Sequence, residues 1–350
     1  MNKWFENVVP CKDSNYISSR IRLVRNWDEY PFPSRLNSQQ SAELVSRLQY
    51  GLDGIDEAAG GYLTATGLDR IRETDRFAMR ERRMFNGVIA ESKKPVGLLY
   101  SPGEDISIVL NGEDHIRLQC LDAGLKLREL WTRADRIDDF INSRFSYAFD
   151  EKYGYLTSFP TNVGTGLKAN VVLHLPALAR AGSLTNIVEG MSRFGVTIRG
   201  VYGQGKGNFG ALYDISNSKT LGVSEQEIID LVNNIAIQLN DQENKARAML
   251  NAEKEIDRLD DIYRAYGNLK HARKMTLKAA LMYMSNLMSG VSDGMIELSE
   301  PVSIYALMLG IQPANLLQHA DRPLNEAELE VARAKYIREN LPELKEAKHG

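Results

Sequence analysis

The chain has 350 residues, of which 43% are hydrophobic and 25% are charged, a composition typical of a folded globular protein with about two domains. Its 43 basic and 46 acidic residues give a formal net charge of -3, which excludes the basic footprint of a general nucleic-acid-binding protein and the charge excess of an acidic disordered chain. The two cysteines and five scattered histidines exclude a disulfide framework and a zinc site of the usual spacing, and they fit a reducing cytoplasm.

Short strands and helices are predicted along the chain up to residue 223. The first twenty residues have no apolar core of a signal peptide, and no apolar run is long enough to predict a membrane span. Apolar runs between glycine, proline or asparagine predict strands at residues 106–110, 169–175, 196–199 and 211–215. One-sided apolar patterns predict helices at residues 37–51 and 133–145. Because strands and helices do not alternate regularly, the pattern favours an α+β domain over a doubly wound sheet.

The sequence after residue 223 is typical of an all-helical domain. Ser224 followed by Glu227 forms a capping-box pattern ahead of an apolar-periodic run that extends to Tyr266, with a break expected near Asn251. Further helices are predicted at residues 275–288, 302–309, 313–319 and 325–341. We therefore expect two domains, an α+β domain over residues 1–235 and a helical domain over residues 236–350.

Two arginines stand two residues apart in the first predicted anion-binding segment. If residues 18–25 form a strand, the side chains of Arg20 and Arg22 point to the same face. Two like charges side by side favour an anion between them, and guanidinium groups bind phosphate oxygens through paired N–H donors. The alternative for this segment alone is a solvated strand face.

Three further segments add cations next to strands. Residues 111–117 combine Glu113, Asp114 and Arg117 after a predicted strand, where a turn with a local ion pair is the alternative. Residues 161–168 form a hydroxyl- and glycine-rich loop that ends in Lys168, and Arg199 precedes a second glycine-rich loop; ordinary connections are the alternative for both. Together these segments supply the cations that phosphoryl transfer with Mg²⁺ requires.

The four segments resemble, in the same order, the catalytic domain of the ATP:guanido phosphotransferases, also called phosphagen kinases. The matching pieces read S-S-R-I-R-L-V-R-N, N-G-E-D-H-I-R, P-T-N-V-G-T-G-L-K and R-G-V-Y-G. Within the family, the chain is most similar to the bacterial protein-arginine kinases. The S-x-R-x-R segment begins at Ser18, which leaves no room for the small N-terminal helical domain of animal creatine and arginine kinases. The long C-terminal helical part is also similar to the bacterial enzymes.

The resemblance implies an antiparallel sheet flanked by helices that binds MgATP, followed by an all-α C-terminal domain for dimerisation and regulation. It implies that Glu113 engages the acceptor guanidinium, that Gln204 stands at the second such position, and that Arg199 acts with them in catalysis. No residue is expected to bind a metal directly, and Arg333 matches part of a regulatory phosphoarginine-binding motif. The implied nucleotide-binding residues are Ser18, Ser19, Arg20, Ile21, Arg22, Arg117, Lys168, Ala169, Asn170, Val171, Val172, Arg199, Gly200, Val201, Tyr202, Gly203 and Gln204.

The function implied by the resemblance is transfer of the γ-phosphate of ATP to arginine side chains of proteins in the cytoplasm. In the family this reaction marks proteins for a Clp-type unfoldase-protease and serves stress-response control. The implied partners are arginine-bearing protein substrates, an activator protein, the Clp-type unfoldase-protease and a second copy in a homodimer. No nucleic acid and no membrane are expected as partners.

Several positions depart from the family pattern and keep a second function open. Gln204 replaces a carboxylate, Phe159 replaces a cysteine, Lys168 replaces an arginine and Gly112 replaces a glutamate. They motivate the alternative of a weakened or inactive member that acts as a nucleotide- or arginine-binding adaptor. A third alternative, a kinase for a small free guanidino compound, is disfavoured by the missing N-terminal domain.

Overall fold

The structure is a computed structural model that describes residues 2–345 apart from 183, 185, 186, 188, 189, 192 and 204–206. Its strands are β1 (Tyr16–Arg25), β2 (Thr64–Gly67), β3 (Gly97–Tyr100), β4 (Ile106–Leu110), β5 (Ile116–Ala123), β6 (Phe149–Asp150), β7 (Gly154–Tyr155), β8 (Leu167–His174), β9 (Val196–Gly200) and β10 (Leu212–Asn217). Its α-helices are α1 (Ser38–Gly51), α2 (Ile55–Ala59), α3 (Glu73–Glu81), α4 (Gly87–Ala90), α5 (Leu127–Asn142), α6 (Pro176–Arg180), α7 (Glu225–Glu253), α8 (Glu255–His271), α9 (Leu277–Ser292), α10 (Ile304–Gly310), α11 (Pro313–Leu317) and α12 (Glu326–Asn340).

Within the described residues, eight strands form one sheet in the order β2-β3-β4-β5-β1-β8-β10-β9. The strands from β2 to β5 follow one another as antiparallel neighbours, in a register that places Val109 opposite both Leu98 and Arg117. β6 and β7 form a separate antiparallel hairpin. Helix α1 packs on β4 and α5 packs on β5. The antiparallel sheet flanked by helices, with helices after residue 225, confirms the predicted fold class.

The chain divides into two compact units. The first consists of Met1–Trp4, Ser19–Asn170 and Ser216–Asn233, and the second consists of Phe5–Ser18, Val171–Ile215 and Asn234–Gly350. The division into domains at residues 235 and 236 stays a prediction.

Helix boundaries in the first unit follow their caps. Helix α1 confirms the helix predicted at residues 37–51: its N-cap Asn37 forms a capping box with Gln40, and Leu44 and Leu48 are fully buried. Helix α5 begins at Leu127 rather than at residue 133. No side-chain cap marks this start; instead, the backbone N–H of Lys126 donates to Ser19 Oγ at 2.9 Å, a tertiary contact that no local pattern predicts.

The predicted helical part agrees closely with the structure. The capping box of Ser224 and Glu227 is present, and the break expected near Asn251 lies at Lys254, between α7 and α8. Helices α8 and α9 approach closely at Gly290, where a Cβ atom would lie 2.5 Å from Cγ2 of Ile262. A larger residue at this position would force the two helices apart.

The two cysteines occupy different environments. Cys11 is exposed, whereas Cys120 lies on β5 in the core, and both are free thiols. Burial raises the pKa of the Cys120 thiol to about 12.

Across the described residues, none of the helices combines the length and apolar character needed to cross a membrane.

Candidate active site

Three neighbouring strands bring four of the predicted cations to one face of the sheet. On β1, Arg20 and Arg22 are half-buried and alternate with fully buried residues, so they share a face. Strand β1 lies between β5, which carries Arg117, and β8, which carries Lys168. Arg20 Nε donates to Oδ1 of Asn170 at 3.3 Å, two residues from Lys168 on β8. We call Arg20, Arg22, Arg117 and Lys168 the cation face.

Arg117 is the buried member of the cation face, and only 7% of it is exposed. Its Nη1 has no hydrogen-bond partner among the described residues. Burial, followed by the charges of Arg22 and Arg20, lowers the pKa of Arg117 to about 9, while Glu113 and Asp114 act in the opposite direction. Its surroundings therefore destabilise the charged form of the guanidinium, and a bound anion would stabilise it. The phosphates of ATP fit this requirement.

Lys168 is fixed at the start of β8 by Asn217. Its Nζ donates to the carbonyl oxygen of Asn217 at 2.5 Å. The Asn217 side chain accepts from the backbone N–H of Ala169 at 2.9 Å and donates to the carbonyl of Leu167 at 3.0 Å. Asn217 thus holds both the strand and the ammonium group, which acts as a point charge rather than as a two-pronged donor.

Glu113 lies in the turn between β4 and β5, and Asn86 orients its carboxylate. Asn86 is the N-cap of α4: its Oδ1 accepts from the backbone N–H of Ile89 at 3.0 Å, and its Nδ2 donates to Glu113 Oε2 at 2.8 Å. Sequence reasoning missed Asn86. The pair Asn86-Gly87 ahead of a short apolar run is an N-cap signal that could have found the helix start, although not the contact with Glu113.

Asp114 and His115 hold the same turn in place through hydrogen bonds to residues far away in the sequence. Asp114 Oδ1 accepts from Nδ2 of Asn26 and from the backbone N–H of Ser158, both at 2.7 Å. His115 Nδ1 accepts from the backbone N–H of Trp27 at 3.0 Å, so its Nε2 carries the proton and donates to the carbonyl of Pro31 at 3.0 Å. Burial lowers the pKa of His115, which keeps the ring neutral. His115 is a structural group here, and Glu113 remains the predicted proton acceptor.

The hydroxyl- and glycine-rich loop before Lys168 is tied down at several points. Thr220 Oγ1 donates to the carbonyls of Thr161 at 3.1 Å and Val163 at 2.8 Å. Gly164 has a φ of 111°, and a Cβ there would lie 2.1 Å from the carbonyl oxygen of Thr220, so only glycine fits. Arg25 Nη1 donates to the carbonyl of Thr165 at 3.0 Å. The loop is therefore held in one conformation next to the cation face.

Other predicted nucleotide-binding residues of the first unit lie in its core. Ile21 and Ala169 are fully buried and alternate along their strands with members of the cation face. Ser19 Oγ donates to the carbonyl of Gly124 at 2.8 Å and accepts from Lys126. Phe159, by contrast, is 46% exposed and follows Ser158, whose backbone N–H binds Asp114. The Phe159 side chain is therefore open to solvent at this edge of the loop.

The remaining predicted residues belong to the second unit. Arg199 is exposed at the end of β9, and Val201 N–H donates to the carbonyl of Leu212 at 2.9 Å. The loop that contains Gly200, Tyr202 and Gly203 is closed by Asn208, whose Oδ1 accepts from the Tyr202 N–H at 3.3 Å. Gln204 lies outside the described residues. The predicted residues Ser18, Val171 and Val172 are buried.

Arg333 is buried in the helical part. Its Nε donates to the carbonyl of Ile311 and its Nη1 to the carbonyl of Met275, each at 3.1 Å. These bonds join α12 to the segments before α9 and after α10. A regulatory role of Arg333 stays a prediction.

Sequence profiles of two protein families match the chain. The profile described as ATP:guanido phosphotransferase, C-terminal catalytic domain, matches residues 46–246. The profile described as protein-arginine kinase McsB C-terminal domain matches residues 255–350.

Individual relatives and solved structures agree with the profiles. A protein-arginine kinase of Caldanaerobacter subterraneus is 38% identical over 325 residues, covering 93% of this chain and 96% of the relative. A protein-arginine kinase of Bacillus subtilis is 34% identical over 341 residues, covering 97% and 93%. A lombricine kinase structure shares the fold with a TM-score of 0.58 at 22% identity, covering 69% of this chain and 70% of the other. A taurocyamine kinase structure from Schistosoma mansoni also gives 0.58, at 24% identity, covering 68% and 33%. The chain therefore belongs to the ATP:guanido phosphotransferase family, in which the two sequence relatives named above are protein-arginine kinases.

Proposed function

We propose that this chain is an ATP-dependent protein-arginine kinase, which transfers the γ-phosphoryl group of ATP to arginine side chains of proteins. The observation that carries the proposal is Arg117, a buried guanidinium with an unpartnered donor that lies close enough to Arg20 and Arg22 to feel their charges, on the strand that follows Glu113. Identities of 34–38% with protein-arginine kinases over more than nine-tenths of the chain support the substrate class.

The cation face holds the phosphates of the nucleotide. Arg20, Arg22 and Arg117 donate hydrogen bonds to phosphate oxygens, and Lys168 adds a fixed positive charge. Because the donors are already in place, stabilising the charge of the transferred group requires little reorganisation. Each such donor contributes about 2.7–4 kcal/mol to catalysis.

Glu113 prepares the acceptor arginine. A guanidinium is protonated at neutral pH and is then a poor nucleophile. The Glu113 carboxylate, oriented by Asn86, pairs with the acceptor and takes a proton from the attacking nitrogen. A nitrogen–phosphorus bond forms as the bond between the γ-phosphorus and its bridging oxygen breaks, and ADP leaves with that electron pair.

Mg²⁺ enters with the nucleotide in this proposal. Within the described residues, no group of three or more His, Cys, Asp or Glu side chains is arranged to hold a metal ion. Bound ATP would bring Mg²⁺ with it, and the ion would neutralise part of the charge of the phosphates.

We further propose the wider role that the family resemblance implies. Phosphorylation converts an arginine cation into an anionic group and abolishes its paired hydrogen bonds to carboxylates, which suits a mark read by a Clp-type unfoldase-protease in stress control. The helical domain over residues 236–350 would form a homodimer and receive an activator protein. The scarcity of cysteines supports activity in the cytoplasm.

The test is to incubate the purified chain with MgATP and an arginine-rich protein and to search for phosphoarginine by mass spectrometry without acid treatment. We expect acid-labile phosphate on arginine that disappears in the Glu113→Gln variant. ATP binding, measured by calorimetry, should persist in that variant. Intact ATP binding without phosphoarginine in the wild-type chain would contradict the kinase and favour the adaptor.

A further inference from the structure

The second unit contains a cavity of about 450 Å³ that is separate from the candidate active site. Helices α6, α7, α8 and α9 contribute to its wall, which includes Arg180, Arg247, Arg258, Lys278, Leu250 and Met282. Small-molecule sites in proteins commonly measure about 300–1,000 Å³. The cavity is therefore large enough for a metabolite of moderate size.

The described residues that line the cavity include four cations and no acid. Arg247 is the decisive one, because only 4% of it is exposed. Its Nη2 pairs with Asp293 Oδ1 at 3.0 Å, but its Nε and Nη1 have no hydrogen-bond partner among the described residues. Buried donors without partners are rare in folded proteins, and a bound water, ion or ligand is one explanation for them.

The nearby acids are already engaged. Asp293 also accepts from Asn251 at 3.1 Å and lies 3.9 Å from Nη2 of Arg258, so it is shared between two guanidinium groups. Glu243 accepts from the backbone N–H groups of Ala177 at 2.8 Å and Leu178 at 3.0 Å. One further acid, Asp261, pairs with Arg180 at the surface at 3.3 Å. The positive charge at the cavity is thus only partly balanced.

The lining also includes apolar and neutral polar groups. Leu250 and Met282 belong to it, and Lys278 Nζ lies 4.5 Å from the centre of the Phe209 ring. Ser285 also lines the cavity, and its hydroxyl lies 2.7 Å from Nε2 of His174. A ligand that fits combines a strongly anionic end with an apolar body.

We propose that this cavity binds an organic phosphate, a small phosphomonoester with an apolar or aromatic body. Arg247, Arg258 and Lys278 hold the phosphate, whose charge of about -1.5 to -2 at neutral pH matches more than one cation. Leu250 and Met282 contact the body. The site is distinct from the candidate active site, because none of the residues that line the cavity is among the predicted catalytic or nucleotide-binding residues.

The test uses phenyl phosphate as the probe and calorimetry at constant ionic strength, with benzoate as a singly charged comparison. We expect phenyl phosphate to bind, and benzoate to bind at least tenfold more weakly. Lys278→Ala should raise the dissociation constant for phenyl phosphate at least fivefold, and Arg247→Gln at least tenfold. ATP binding should remain unchanged in both variants. Arg273→Ala, which removes an exposed cation just before α9, should change neither ligand.

Three results would overturn the proposal. The first is the absence of phenyl phosphate binding to the folded wild-type chain at millimolar concentration. The second is binding that Lys278→Ala leaves unchanged but Arg117→Met abolishes, which would assign the probe to the cation face. The third is equal affinity for benzoate, which would remove the selectivity for phosphate. Lys278 is exposed, so its variant keeps the test valid even if Arg247→Gln does not fold.

Discussion

Two buried arginines of the first unit, Arg25 on β1 and Arg117 on β5, differ in how far the protein pairs their charge and their N–H donors. Arg25 Nη2 pairs with Asp138 Oδ2 at 2.7 Å, its Nη1 donates to the carbonyls of Val24 and Thr165 at 3.0 Å, and its guanidinium lies 3.7 Å from the centre of the Tyr155 ring. Arg117 instead has an unpartnered Nη1 and lies among other cations.

The comparison separates arginines that stabilise the fold from arginines that await a ligand. The protein itself pairs the charge and the N–H donors of Arg25. Removing this residue therefore leaves the Asp138 carboxylate and two carbonyl groups without their partner in the core. The protein leaves Arg117 incompletely satisfied, so removing it costs the fold little and costs ligand binding much. Burial alone does not distinguish the two, because both side chains are almost inaccessible to solvent.

The largest effect is expected from Arg25→Met. This change leaves Asp138 buried without its ion-pair partner, and loss of one member of a buried pair costs about 3–5 kcal/mol. The free energy of unfolding, measured by urea denaturation, should fall by that amount. The double variant Arg25→Met, Asp138→Leu should recover part of it. A loss below about 1 kcal/mol would place Arg25 in the same class as a surface ion pair.

Arg117→Met should leave stability unchanged or raise it, while activity falls. Loss of one charge-stabilising donor lowers kcat/KM by about 10²–10³-fold, equivalent to about 2.7–4 kcal/mol. Removing a buried cation that lies among like charges has no comparable cost for folding. Arg128→Met, at a position that is 67% exposed, serves as the control with normal activity and stability. A loss of stability as large as that of Arg25→Met would contradict the distinction between fold-stabilising and ligand-binding arginines.

Asn86→Ala tests how a carboxylate of the site is positioned. Without Asn86, α4 loses its N-cap, at a cost of about 1 kcal/mol in unfolding free energy, and Glu113 loses its donor. We expect KM for the acceptor protein to rise about tenfold, equivalent to about 1.4 kcal/mol. Asn86→Asp keeps the cap but sets a like charge beside Glu113, so it should be stable and still weakly active. Full activity of Asn86→Asp would show that Glu113 needs no donor.

The smallest effect on stability is expected from His115. Like Arg25, this buried residue has its hydrogen bonds satisfied within the protein, but only when its ring is neutral. Burial lowers the pKa of His115 in the folded state, so the unfolded chain takes up the proton first as the pH falls. Stability present above about pH 6.5 is then lost below it, by at most about 1.4 kcal/mol per pH unit. Urea denaturation at pH 7.5 and 5.5 should show a smaller loss in His115→Gln than in the wild-type chain. Equal losses would mean that the imidazole is protonated inside the fold.

Local patterns predicted much of the fold and pointed to the charged residues of the candidate site. The alternation of β1 placed Arg20 and Arg22 on one face, an apolar face marked α1, and capping-box patterns marked the starts of α7 and α12. Such features depend on residues a few positions apart, which a sequence shows directly. Charged residues next to predicted strands also pointed to Arg117, Lys168 and Glu113, and the resemblance to a known family then implied their roles.

The missed residues make contacts across long sequence distances. Asn86 reaches Glu113, 27 residues away, and Asn217 reaches Lys168, 49 residues away. Arg25 contacts Thr165 at a separation of 140 residues. Their neighbourhoods depend on the strand order, which places β1 between β5 and β8 and which no local periodicity encodes. The same reason explains the early start of α5, since the backbone N–H of its N-cap residue Lys126 donates to the Ser19 hydroxyl on β1.

The contrast between the two cysteines makes the natural sequence convenient for spectroscopy. Maleimides and other thiol reagents react with the thiolate form of cysteine. Cys120 scarcely forms a thiolate near neutral pH, and its side chain is buried in the core. Cys11 is open to solvent, so reagents reach one thiol per chain. A fluorophore or spin label on Cys11 therefore reports from the second unit, while nucleotide is titrated against the cation face of the first, without a single engineered substitution.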